Sequence, residues 1–128
     1  METRRANMTI NKPQDEEKLA EQQYDEAYDY YYQGNWEAAE YHVKEAVDLK
    51  PGDPRYRLLL AQTFCALECL SEAAAELRIL RNQDPANAGA KSLEMLLKSK
   101  IHKRDETLKR EAESHSLAGF LKALFKNS

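Results

Sequence analysis

The sequence predicts an all-α chain: a short helical solenoid of helix-turn-helix pairs with a C-terminal capping helix and an amphipathic tail. Three observations point there. Glycine and proline number four each, while helix formers such as alanine, leucine, glutamate and lysine abound. No long run alternates β-branched and polar residues as a strand would. Small and apolar residues recur 34 positions apart: Ala27 and Ala61, Tyr30 and Phe64, Ala39 and Ala73, Val43 and Leu77, Ala46 and Leu80, Pro51 and Pro85. That period marks a unit which cannot bury its apolar face alone and must stack on a neighbour.

In chain order, residues 1–15 are polar, contain Pro13 and show no helical stripe, so they read as a flexible arm. Residues 16–101 form the repeat domain, with repeats at about 20–53 and 54–87 and a capping helix from 88. Within the first repeat, Gly34-Asn35 separates two helices as a left-handed cap does. Pro51-Gly52 ends the second helix, and Asp53-Pro54 starts the next with an N-cap and a first-turn proline. Leu70-Ser71-Glu72 marks the turn inside the second repeat. Ala27, Ala39, Ala61 and Ala73 let paired helices approach, and Tyr30, Phe64, Val43 and Leu77 fill the space between them. In the capping helix Leu93, Leu96, Leu97 and Ile101 form the covering stripe. Residues 102–115 are a charged helix extension or a spacer.

The last segment, 116–126, places Leu117, Phe120, Leu121, Leu124 and Phe125 on one helical face, with Lys122 and Lys126 off it. Three readings of it stay open: extra core, docking on a partner or a second copy, and weak contact with an anionic membrane surface.

Formal net charge is −3, which gives no overall pull toward nucleic acid. The charge is unevenly spread. Eleven acids and two lysines lie in 14–48, while six Lys/Arg and two acids lie in 98–110. This is a solvated helix surface, or a means of steering a partner or a second copy. Cys65 and Cys69 fit no disulfide framework or metal pattern and read as small buried hydrophobes. No metal site and no cofactor are expected: His42, His102 and His115 show no ligand spacing, and no phosphate loop or nucleophile–base pair is recognisable. The sequence therefore points away from an enzyme. With no apolar span of ~18 residues and no signal-like start, a cytoplasmic location is the expectation.

The runs Gly34-Asn35-Trp36-Glu37-Ala38-Ala39 and Ala46-Val47-Asp48-Leu49-Lys50-Pro51 resemble one repeat of the tetratricopeptide repeat family. Leu60, Ala61, Phe64, Ala73, Leu77, Leu80 and Pro85 resemble a second, and the likeness spans about 20–101. Two positions depart from the family pattern: Gln23 and Arg57 replace an early tryptophan, and Glu68 replaces the inner-turn glycine.

The resemblance implies a concave groove lined by the first helix of each pair. In repeat one that side carries Tyr24, Tyr28, Tyr31 and Tyr32; in repeat two it carries Leu58, Gln62, Cys65 and Ala66. Tyrosine pairs a rigid apolar ring with a polar tip, which suits peptide capture. Some family members grip an acidic chaperone tail with basic groove residues. The corresponding places here hold Tyr24, Tyr28, Leu59, Gly89 and Leu93, so an apolar or aromatic segment fits better. The implied function is a protein-interaction module, an adaptor or scaffold. The alternatives are a small chaperone for a secreted or assembling substrate, and a membrane-adjacent assembly factor using the tail. A homo-oligomer also fits, since about three repeats are usually needed for stability.

Overall fold

The computed structural model describes residues 13–116 and, beyond them, 119, 121, 122 and 124. Among the described residues up to 116, five helices follow one another: α1 (Pro13–Tyr32), α2 (Trp36–Leu49), α3 (Pro54–Ala66), α4 (Leu70–Gln83) and α5 (Ala88–His115). Among the described residues there is no strand. Three residues join the helices of a pair (33–35 and 67–69), and four join one pair to the next (50–53 and 84–87). Connections this short set successive helices antiparallel.

The 34-residue period reappears in the backbone of the helix ends. After α1, Gly34 N–H donates to Tyr31 O at 3.1 Å and Asn35 N–H to Tyr30 O at 2.9 Å. After α3, Glu68 N–H donates to Cys65 O at 3.1 Å and Cys69 N–H to Phe64 O at 2.8 Å. Both pairs are the double closure that satisfies the last helical carbonyls, and it needs one residue in left-handed space. Gly34 takes φ +82° freely, whereas Glu68 takes φ +61° with a Cβ in the way. This corrects the turn expected at Leu70-Ser71-Glu72. The chain turns at 67–69 instead, because the closure consumes Glu68 and Cys69, and Leu70 opens α4 with 2% of its surface exposed.

N-caps repeat as well. Asn35, Asp53 and Asn87 each accept a backbone N–H of the first turn, at 3.3, 2.9 and 2.9 Å. Cys69, the equivalent of Asn35, makes no side-chain cap bond.

Each helix touches the next, and α1 touches α3 as α3 touches α5, so the odd helices share one side of the stack. Ala27, Ala39, Ala61 and Ala73 are wholly buried, which permits the close approach of α1 to α2 and of α3 to α4. Val43, Phe64, Leu77 and Leu80 fill the interior beside them. Tyr30, expected in the core, is only half-buried. Its ring stacks on His42 with centroids 5.4 Å apart, and no described helix lies over that edge of α1.

The first helix of each pair is tied to the second at one shared register. His42 Nδ1 lies 2.7 Å from Gln23 Oε1 in repeat one. Thirty-four residues on from Gln23, Arg57 Nη1 donates to Glu76 Oε1 at 2.7 Å and Nη2 to the Pro51 carbonyl at 2.9 Å. Arg57 is 8% exposed, and its Nε has no partner among the described residues.

α1 starts at Pro13, inside the stretch read as a flexible arm, with Asp15 and Glu16 in its first turn, where carboxylates favour the helix dipole. In α5 Ala90, Leu93 and Leu97 are buried against α3 and α4, and Ile101 is half-buried. From His102 to His115 every residue is exposed, yet the helix continues unbroken. No described helix is long and apolar enough to cross a membrane.

Candidate functional site

The shared side of α1, α3 and α5 holds a hollow of about 550 Å3. Tyr31 of α1 and Trp36 at the start of α2 form one wall; Leu93 and Leu96 of α5 form the other. Gln62, Cys65 and Ala66 of α3 lie between them. Glu68 and Lys100 pair beyond Ala66, joining the α3–α4 turn to α5 at one end of the hollow. Hydrogen bonding to Glu68 pushes the Lys100 ammonium pKa up, so the ammonium stays charged through the neutral range.

Tyr31 is half-buried, and burial first, then its neighbour Tyr32, pushes its phenol pKa up. The Cys65 thiol beneath it is also pushed up by burial, partly offset by Lys100. Both groups are therefore neutral at physiological pH. A weakly polar hollow with two aromatic rings and one leucine on its rim is suited to holding apolar side chains by desolvation.

The structure distributes the groove residues expected from sequence unevenly. Tyr31, Gln62, Cys65 and Ala66 line the hollow. Tyr28 and Tyr32 are exposed and continue a ladder of rings along α1, with centroids of Tyr24–Tyr28 at 6.1 Å and Tyr28–Tyr32 at 4.7 Å. Tyr24 is instead built into the α1–α3 contact. Its ring centre is 5.0 Å from that of Tyr56, and the Arg55 guanidinium lies 5.5 Å from it. Leu58 fills the approach of α3 to α5: a Cβ on Gly89 would stand 2.6 Å from its Cδ2. Leu59, one of the positions where a basic clamp would sit, is buried. In the tail Leu121 and Leu124 are exposed, while Leu117, Phe120 and Phe125 lie outside the described residues.

Five lining residues are not marked as groove residues by the sequence: Trp36, Glu68, Ser92, Leu96 and Lys100. Leu96 belongs by spacing to the covering stripe, but it sits about 100° from Leu97 around the helix and is 49% exposed at the groove. The cluster that anchors α1 is also unmarked. Arg55 bonds Glu21 at 2.6 Å and Asp53 at 2.8 Å, and the Tyr56 hydroxyl donates to Glu21 at 3.2 Å. Burial raises the Asp53 pKa, but the side-chain and backbone hydrogen bonds of Arg55 outweigh it and hold the carboxyl below its ordinary range. Glu21 and Arg55 are themselves 34 residues apart, which is the available signal.

The tetratricopeptide repeat profile matches residues 30–97, which takes in the second half of the first repeat, all of the second and the start of α5. No curated protein and no solved structure matches the chain. With more than half its length matched, the chain belongs to the tetratricopeptide repeat family. Repeats of this family generally mediate protein–protein interaction and are typically non-enzymatic.

Proposed function

We propose that this tetratricopeptide-repeat chain is an adaptor that holds an apolar or aromatic segment of another protein in its concave groove. The hollow between Tyr31, Trp36, Leu93 and Leu96 carries the reading, because it is open, weakly polar and built on three packed helices. The exposed rings of Tyr28 and Tyr32 extend the same surface along α1 and supply further stacking contacts. A pocketed aromatic anchor of this kind contributes ~2 kcal/mol or more to binding. Among the described residues the only ion pair at the groove, Glu68 with Lys100, is satisfied internally, which supports a partner segment without charge at that point. A cytoplasmic setting goes with this reading, supported by two free thiols, one of them buried.

The test is affinity capture with the full chain against two variants. Leu96→Arg places a charge in the hollow, and Tyr28→Ala removes a ring beside it; both side chains are exposed, so thermal melting should stay unchanged. Partners held by the parent chain are expected to be lost from Leu96→Arg and reduced with Tyr28→Ala. Equal capture by Leu96→Arg, with its melting intact, would remove the groove from consideration.

A further inference from the structure

A second furrow, of about 510 Å3, runs between α4 and α5 on the end of the stack. Its floor is apolar, with Ala74, Leu77, Leu97 and Ile101. Its lips are charged: Arg81 reaches Glu94 across it at 2.5 Å, while Arg78 and Lys98 make no ion pair among the described residues.

The repeat register identifies what this place is. Thirty-four residues earlier, the positions of Leu77, Arg81, Glu94 and Lys98 are Val43, Val47, Leu60 and Phe64, all buried. There the seam between α2 and α3 has α4 beside it, and Glu76 of α4 shares a small hollow with Val47, Leu60 and Phe64. The α4–α5 furrow is the same seam one step along the solenoid, with no further helix beside it among the described residues. It keeps an apolar floor, but its lips now carry three cations against one carboxylate.

That charge selects the occupant. The chain's own stretch 117–126 has the apolar stripe but brings Lys122 and Lys126 with no acid, so like charges would meet at the lips. A helix that brings carboxylates satisfies Arg78 and Lys98, much as Glu76 satisfies Arg57 one repeat earlier. We propose that the α4–α5 furrow docks an amphipathic helix of a partner protein, its apolar stripe on Ala74 and Ile101, which stay half-buried over Leu77 and Leu97, and its acidic flank on Arg78 and Lys98. This surface is separate from the concave groove, and the two contacts are independent.

The probe is a fluorescent peptide based on this chain's own α4 sequence, 70–83. It carries Leu70, Ala73, Leu77 and Leu80 on one stripe, with Glu72 and Glu76 beside it. Within the peptide, Arg78→Gln and Arg81→Gln remove the basic side chains and leave it net acidic. Fluorescence anisotropy with the full chain should show saturable binding that weakens as salt rises. In the full chain, Ile101→Glu and the pair Arg78→Glu with Lys98→Glu should each weaken it about tenfold or more. Leu96→Arg should leave it unchanged. Circular dichroism melts of each variant separate loss of binding from loss of fold.

Absence of saturable binding overturns the proposal, as does binding indifferent to the Arg78 and Lys98 reversals. Sedimentation showing a dimer that Ile101→Glu abolishes would assign the furrow to a second copy. Tighter probe binding by Leu121→Ser with Leu124→Ser would assign it to the chain's own tail. Either result also overturns the proposal.

Discussion

The two repeats share a backbone plan and differ in what holds it. In repeat one, α1 buries only Ala20 and Ala27 along its 20 residues, and the turn after it has glycine in left-handed space and a side-chain N-cap. In repeat two, α3 buries eight of its 13 residues, while the turn after it has glutamate in left-handed space and no cap bond. The flanked repeat tolerates poor local chemistry because its neighbours supply the burial; the end repeat relies on good turns and surface ties. Solenoid stability is a sum of unit and interface contributions, and here the two are traded against one another.

The intra-pair tie should separate the repeats most. Glu76→Ala strands the Arg57 charge, and we expect a loss of about 2–3 kcal/mol, somewhat below a fully buried pair because Glu76 keeps some contact with water. Gln23→Ala at the equivalent tie should cost ~1 kcal/mol or less. Replacing both Arg57 and Glu76 with leucine should restore or exceed the parent stability. Urea midpoints at constant slope read all three; equal costs for Glu76→Ala and Gln23→Ala would break the comparison.

The turns come next. Glu68→Gly should stabilise by about 1 kcal/mol, since relief at φ +61° exceeds the loss of an exposed pair with Lys100. Gly34→Ala should destabilise by about the same amount. Opposite signs in thermal unfolding sharpen the contrast, and matching signs contradict it. The caps follow at smaller size: Asn35→Ala should cost about 0.5–1 kcal/mol, whereas Cys69→Ser should be neutral or stabilising by a few tenths.

Alkaline titration supplies the last and smallest contrast. Tyr56, which with Arg55 joins α3 to α1, is almost wholly buried. Burial first and the Glu21 carboxylate second push its phenol pKa up to about 12. Its folded value is raised, so the linked stability is present in full below the ordinary tyrosine range. It is lost as pH climbs from about 10 toward 12. Ultraviolet difference spectra should show a late-ionising phenol that shifts earlier in Glu21→Gln.

Fold and period are legible from the sequence at particular residues. The alanines at 27, 39, 61 and 73, and the prolines at 51 and 85, carry geometric requirements that depend on the backbone alone. Glu68 is harder to read. A charged residue gives no local sign of left-handed backbone, so the sequence pulls the expected turn to the polar Ser71-Glu72 beside it. Tyr31, Gln62, Cys65 and Ala66 fall on the groove side through the family resemblance. Trp36, Leu96 and Lys100 join them only through the crossing of three helices.

By itself the sequence determined the helices, their ends at Gly34, Pro51 and Pro85, and the 34-residue step, because these follow from local hydrogen bonding and from the side-chain period of a helix. Only the tertiary structure decided which apolar residues stay uncovered. Leu96 faces a hollow and Leu97 the interior one residue apart. Ile101 stays half-buried in the last described seam, while Val47, Leu60 and Phe64 of the preceding one are buried. Burial belongs to the neighbour that arrives, and a described stack that stops at α5 leaves its final seam open to whatever helix fits it.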